Sequence, residues 1–257
     1  YISPQIWAWK ESRITEIKRD IDRMYVILPF EKKFYEDKHH FPVAFVGHPL
    51  IDAIHNQPIV DPVLFRKENQ LNDKPIIAVL PGSRKQEITK MLAVMLSVAN
   101  DFPDYQFVIA GAPSQEFSFY QKFITQENIK FISNKTYDLL RNATAALVTS
   151  GTATLETALF KVPEVVCYKG SWASYQIAKR IITLKYISLV NLIMDEEVVT
   201  ELIQEECTTK RIREELQKIL KTNNRDTLLE KYALLEEKLG GIGASEKTAT
   251  LIVNDLK

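Results

Sequence analysis

Neither of the glycine-rich fingerprints that cradle nucleotides in dehydrogenases and P-loop NTPases occurs in these 257 residues. The absence of G-x-G-x-x-G and of G-x-x-x-x-G-K-[ST] argues against both enzyme classes. Cysteine is nearly absent too. Cys167 sits in an apolar, strand-like run and Cys207 follows an acidic turn. That spacing fits neither a zinc site nor a secreted disulfide framework, so two free thiols in a reducing compartment are expected. No apolar run approaches the ~18 residues needed to cross a bilayer, and no basic-then-apolar leader stands at the start. Charge of one sign is not in excess: thirty-three basic and thirty-three acidic residues cancel, leaving no global field that favours nucleic acid. No convincing set of metal ligands is visible. His39 and His40 are adjacent, point apart and read as a solvated loop, while His48, between Gly47 and Pro49, reads as a turn histidine hydrogen-bonded locally rather than an acid or base.

What is present is an ordinary globular composition, 46% hydrophobic and 26% charged, in a chain long enough for one large α/β unit or two smaller ones. An extended start, Tyr1 to Trp9, precedes Ile14, Ile17, Ile21 and Met24 at helical spacing. Tyr25–Leu28 reads as a strand stopped by Pro29, Glu31–Asp37 as a short basic helix and Val43–Val46 as a second strand. Residues 51–74 carry Asp, Pro and Asn punctuation and read as a joint between domains, with a short helix around Asp61–Asn69. From Pro75 the alternation is regular. Strands are predicted at Ile76–Leu80, Gln106–Ala110, Lys130–Ile132, Ala145–Val148 and Glu164–Tyr168. Helices between them are predicted near Lys85–Ala99, Gln115–Ile124, Thr136–Asn142 and Ala153–Phe160, the pattern of a doubly wound parallel sheet. The remainder reads as helical: Trp172–Thr183, Glu196–Glu206, Lys210–Leu220, Asp226–Leu239 and Ala244–Leu256, with Tyr186–Asn191 as an extended connection.

Two strand-to-helix turns carry the chemistry. Pro81-Gly82-Ser83-Arg84 follows one apolar run, and Ser150-Gly151-Thr152-Ala153-Thr154-Leu155-Glu156 follows another. Glycine lets backbone approach an anion closely, and a helix start presents free N–H groups and a positive dipole end. Ser150 or Thr152 is expected to supply a hydroxyl cap to the helix behind it. Arg84 adds a fixed charge and a bidentate fork. Ligands of doubly wound sheets sit beyond the carboxyl ends of the strands, so both loops can face one phosphorylated small molecule. The plainer alternative, that Gly82 and Gly151 only make tight turns, stays open on spacing alone.

Several blocks taken together resemble the lipid-A-disaccharide synthase family, in family order across residues 1–207. They are Tyr1-Ile-Ser-Pro-Gln-Ile-Trp-Ala-Trp9, Leu28-Pro-Phe-Glu31 with Phe34-Tyr35, Val46-Gly-His-Pro-Leu-Ile-Asp52, and Leu80-Pro-Gly-Ser-Arg84 with Glu87-Ile88. Ser150–Glu156, Tyr186-Ile-Ser-Leu-Val-Asn191 and Leu202-Ile-Gln-Glu-Glu-Cys207 complete the set. The resemblance implies an α/β protein of GT-B type: residues 1–50 the end of an incomplete N-terminal, acceptor-side Rossmann-like domain, 51–207 a C-terminal UDP-sugar-binding Rossmann-like domain, and 208–257 a helical tail.

It also implies an inverting, metal-independent glycosyltransferase of lipid A biosynthesis, without a cofactor. The enzyme would transfer 2,3-diacylglucosamine from its UDP derivative to 2,3-diacylglucosamine 1-phosphate, giving the β-1,6 disaccharide 1-phosphate and UDP. By that likeness Arg84 stabilises the departing diphosphate, and Gly82, Ser83, Ser150, Gly151, Thr152, Ala153 and Thr154 bind phosphate or uridine. Glu156 accepts from the ribose hydroxyls, and Asn191 and Gln204 lie near the nucleotide. Implied partners are the two lipid substrates and a membrane surface, with a homodimer possible and no nucleic acid; the implied location is cytoplasmic, peripheral on the inner face of the inner membrane. The chain begins at Tyr1 rather than Met. It is expected to lack a preceding segment, on the order of one small domain, that holds the family's general base, and not to turn over when made alone. Alternatives are another GT-B enzyme, such as a UDP-N-acetylglucosamine 2-epimerase or the peptidoglycan glycosyltransferase, and a non-catalytic nucleotide-binding module.

Overall fold

Residues 1–170 and 185–256 are described by a computed structural model. They form two compact units, one built from residues 1–57 and the C-terminal stretch from Ala233, the other from residues 58–170 and 186–232. The segment read as an amphipathic helix, Trp172–Thr183, lies outside the described residues.

In the smaller unit a 3-10 turn, Glu11–Arg13, leads into helix α1, Ile14–Asp20. The helix is shorter than its apolar spacing suggests. Ile17 is buried within it, but Ile21 lies beyond its end and is 41% exposed, and Met24 reaches the core from the following loop. Strand β1, Tyr25–Val26, pairs in parallel with β2, Ala44–Phe45. Between them lies α2, Pro29–Lys33, which runs on as a π-helical turn, Phe34–Lys38. Pro29 opens this helix at its first position, where its missing N–H is no loss. Glu31, buried, holds the unit's start: Oε2 accepts from the N–H groups of Leu28 (3.0 Å) and Ile27 (3.2 Å), and Oε1 from Ser3 Oγ (2.5 Å) and Trp7 Nε1 (3.1 Å). Ile6, Ile17, Met24, Val26, Tyr35, Phe41 and Val43 pack together as the core. Helix α3 spans Pro49–His55.

The larger unit begins with α4, Pro62–Glu68, capped by Asp61 Oδ1 on the N–H groups of Val63 and Leu64. Then follow β3 Ile76–Leu80, α5 Lys85–Leu96, β4 Gln106–Gly111, α6 Phe117–Gln121, β5 Ile129–Ser133 and α7 Thr136–Asn142. They continue as β6 Ala143–Thr149, α8 Thr152–Leu159 and β7 Glu164–Tyr168. These match the alternation read from the sequence. Beyond the undescribed stretch come α9 Leu189–Met194, β8 Thr200–Ile203, α10 Thr209–Ile219 and α11 Thr222–Lys238. All six strands pair in parallel, in the order β5-β4-β3-β6-β7-β8. Residues of β3, β4 and β6 and of α7, with Phe65 and Val162, make one apolar core.

Two expectations are corrected here. Tyr186–Asn191 is not simply extended: Ser188 caps α9, its Oγ accepting from Asn191 N at 3.3 Å. Glu196–Glu206 is not a helix but contains the edge strand β8 and a 3-10 turn, Gln204–Glu206. The β-branched run Val198-Val199-Thr200 favours strand, and β7 offers a free edge for it to pair with.

Helix α12, Ala244–Asp255, returns to the smaller unit. Asp52 receives its first turn: Oδ1 accepts from Gly243 N (2.7 Å) and Oδ2 from Ser245 N (2.8 Å). Nearby, His48 caps α3, with Nδ1 accepting from Leu50 N at 3.2 Å, so the local hydrogen bonding expected of it is present. The residue is 6% exposed, and burial pushes its pKa down from 6.5 to about 4. Protonation would put a hydrogen on the atom that accepts from Leu50. His48 therefore contributes stability that is complete above pH 6.5 and is lost as pH falls toward 4. His48→Asn keeps an acceptor at the cap and removes the titration. Between pH 6.5 and 4 the parent should lose roughly 3 kcal/mol relative to this variant in urea unfolding; parallel profiles would refute the assignment.

Candidate functional site

The strand order reverses direction between β3 and β6, and the loops leaving these two strands bound one crevice at the carboxyl edge of the sheet. In the first loop Gly82 has φ +97°, a backbone region that favours glycine, and a Cβ there would stand 2.4 Å from Glu87 Oε2, so a larger residue would also displace that carboxylate. Glu87 reaches back along α5 to accept from Ser83 N at 3.3 Å, and Ser114 Oγ donates to Ser83 O at 3.1 Å. Arg84 occupies the N-cap position of α5 without capping it.

In the second loop Gly151 precedes α8 with φ 153° and ψ −163°, a region essentially restricted to glycine. The hydroxyl cap expected from Ser150 or Thr152 is not there. Ser150 Oγ instead donates to Ile187 O (3.0 Å), Thr154 Oγ1 donates back to Gly151 O (2.8 Å), and no side chain caps α8. Competition from a carbonyl distant in sequence is the reason, and it leaves the helix start open to a ligand.

Between the loops lies a cavity of about 440 Å³. Of the residues singled out in the sequence, Gly82, Ser83, Arg84, Ser150, Gly151, Thr152, Ala153 and Glu156 line it together. Thr154 is fully buried beneath. Asn191 is also fully buried, with both ends of its amide in use: Oδ1 accepts from Val198 N (2.8 Å) and Val199 N (2.9 Å), and Nδ2 donates to Val199 O (2.8 Å) and Glu201 Oε1 (2.9 Å). It pins the path from α9 to β8 and does not line the cavity. Gln204 follows β8 at the same sheet edge with φ 53°, outside the cavity lining, its Nε2 buried and without a partner among the described residues.

Several lining residues escaped the sequence reading. Ala110, Gly111, Ala112 and Pro113 come from the end of β4, Thr136 from the start of α7, and Thr149 from the end of β6. Thr149 is 2% exposed and its Oγ1 has no partner among the described residues. Tyr137, next to Thr136, donates its hydroxyl to Glu156 Oε1 at 3.0 Å. Burial raises the Glu156 pKa, an effect the Tyr137 hydrogen bond opposes. Burial beside that carboxylate pushes Tyr137 up to about 12. Glu87 stood within a block of family resemblance, whereas nothing local marks Tyr137 or Thr149.

Among the described residues no group of three or more His, Cys, Asp and Glu is arranged to hold a metal ion. The Asp20-Ile21-Asp22 triplet, which begins at the last residue of α1, is exposed, and Asp20 is paired with Arg19. His40 is exposed as expected, but His39 packs edge-on against Phe34 and lies 2.9 Å from Glu11. Both cysteines are buried and free.

This topology is shared with solved structures. One is the UDP-N-acetylglucosamine 2-epimerase of Neisseria meningitidis bound to UDP-N-acetylglucosamine, 14% identical, with a TM-score of 0.62 over 99% of this chain and 67% of that one. Another is WaaG, a glycosyltransferase involved in lipopolysaccharide biosynthesis, 15% identical, with a TM-score of 0.53 over 90% of this chain and 62% of that one. At such identities the likeness establishes the fold: a GT-B architecture. A family model described as lipid-A-disaccharide synthetase (LpxB) matches residues 1–251. Curated relatives named lipid-A-disaccharide synthase include those of Idiomarina loihiensis, 38% identical over 98% of this chain, and Coxiella burnetii, 39% identical over 99%; the chain covers 68% of each. The chain belongs to the lipid-A-disaccharide synthase family, a family of glycosyltransferases.

Gly151→Ala tests the second loop. Nothing lies within 4 Å of the added methyl, so the expected stability loss of about 1–3 kcal/mol in denaturant unfolding comes from backbone strain alone. An unchanged midpoint would show that the loop relaxes freely.

Proposed function

We propose that the cavity holds the diphosphate and ribose of a UDP-sugar donor, and that the larger unit is the donor half of an inverting transferase. The carrying observation is the convergence of two helix starts without side-chain caps, α5 and α8, and the Arg84 side chain on one crevice. Each helix start offers N–H groups and positive potential to phosphate oxygens. Arg84 adds a full charge where a leaving diphosphate gathers negative charge. Glu156, deeper along α8, presents acceptors suited to ribose hydroxyls. A UDP-sugar is also what the Neisseria epimerase holds on this fold. Asn191 serves by position, fixing the Ile187–Ser188 strap to which Ser150 is tied, and the free Nε2 of Gln204 stands ready at the same edge.

In the reaction proposed, the 6-hydroxyl oxygen of 2,3-diacylglucosamine 1-phosphate attacks C1 of the donor sugar. The C1–O bond to UDP breaks as the β-1,6 bond forms, UDP leaves with the bonding electrons, and a general base takes the hydroxyl proton. The chain's part is the electrostatic clamp on the departing diphosphate, with no step assigned to a metal. No described helix is long and apolar enough to cross a membrane. Substrates carrying two acyl chains place the work at a bilayer surface, for which we propose the cytoplasmic face of the inner membrane.

Calorimetric titration of UDP into the chain and into Arg84→Ala tests the reading. The variant should bind at least tenfold more weakly, because a hydrogen bond to a charged group contributes ~1.5–3 kcal/mol. Heats that do not depend on Arg84 would move the diphosphate elsewhere.

A further inference from the structure

Glu156 has two carboxylate oxygens, and the fold has already committed one of them. Tyr137 stands in the first turn of α7, where Leu139 and Leu140 are buried and anchor the helix on the sheet. Its ring packs against Phe160 with centroids 5.1 Å apart, and the Arg141 guanidinium lies over the other ring at 5.4 Å. The aromatic contact limits the freedom of the Tyr137 ring, so its hydroxyl is delivered to Glu156 Oε1 at 3.0 Å rather than left to find it. Phenol supplies a single hydrogen, and a carboxylate accepts through both oxygens. Glu156 lines the cavity, and Oε2 is the oxygen that Tyr137 leaves unengaged, so a ligand that meets it there must bring a donor.

We propose that Tyr137 is a positioning residue: it orients Glu156 so that the free carboxylate oxygen accepts from a hydroxyl of the donor's ribose and discriminates against a nucleotide lacking that hydroxyl. This rests on the reading of the cavity as a UDP-sugar site. Tyr137 touches no reacting atom in this assignment, and its effect passes through Glu156.

The test titrates UDP and 2′,3′-dideoxy-UDP into the parent chain, Tyr137→Phe, Glu156→Gln and the double variant. Tyr137→Phe keeps the ring contacts and removes only the donated hydrogen. It should weaken UDP binding roughly three- to tenfold, leave dideoxy-UDP unchanged, and have no further effect in the Glu156→Gln background. A Tyr137→Phe variant that binds UDP as the parent does, or that weakens both nucleotides equally, overturns the proposal, because a merely structural tyrosine would not separate them. The underlying reading fails differently: if the parent binds UDP and dideoxy-UDP equally, Glu156 is not a ribose acceptor whatever Tyr137 does, and if it binds neither, the cavity is not a UDP site.

Discussion

Parallel pairing is the constraint from which the site follows. A strand can pair in parallel with its neighbour only after the chain has crossed back over a face of the sheet, so all six strands of the larger unit end on the same edge. Where the order turns, between β3 and β6, successive crossovers leave toward opposite faces and their loops part. The crevice is thus a product of topology before any side chain lines it. Gly82 and Gly151 are the residues that let the two loops complete their turns in backbone regions closed to other residue types.

Acidic side chains hold the surrounding framework. Glu31 gathers Ser3, Trp7 and two backbone N–H groups, and Asp52 receives the start of α12. Glu201 accepts from Ile187 N, Ser188 N and Asn191 Nδ2. A buried carboxylate with several donors is satisfied and local, and it joins segments that sequence separation would otherwise leave to weak apolar contact. Glu164, at the opposite end of β7, is the contrast: it is fully buried, neither oxygen has a partner among the described residues, and burial with Glu201 nearby raises its pKa well above the usual carboxylate range.

The β/α alternation from Ile76 to Tyr168 was legible because each strand there is a short apolar run bounded by turn residues, and each helix has its own apolar face. Legibility failed where tertiary partners decide. Glu196–Glu206 reads as a helix in the sequence, yet pairing with β7 makes a strand of Thr200–Ile203. Ser150 had the right side chain to cap α8, but the carbonyl of Ile187 took its hydroxyl. Tyr137 carries no local signal at all, since its partner Glu156 lies in the next helix, with the whole of β6 between them in the chain. The blocks of family resemblance were legible as a set for a reason now physical. Ser3, Trp7 and Glu31 lie in two separate blocks and form one hydrogen-bonded cluster, and the block ending in Asp52 holds the caps of both α3 and α12.

The distribution of helix caps ties the framework to the chemistry. In the larger unit α4, α9 and α10 close their starts with Asp61, Ser188 and Thr208. Helices α5, α6, α7 and α8 have no side-chain cap, and each begins at or just after a loop that lines the cavity. A cap contributes about 1 kcal/mol, so its omission at four consecutive crossovers leaves part of the attainable stability unrealised. At α5 and α8 the omission also leaves helix-start N–H groups and positive dipole ends beside the cavity, which a phosphate-bearing ligand can complete. A site built this way is strongest for an anion that arrives and leaves, because α8 carries no carboxylate cap that must first be displaced, and among the described lining residues Arg84 supplies the positive charge that such a ligand meets beside the carboxylates Glu87 and Glu156.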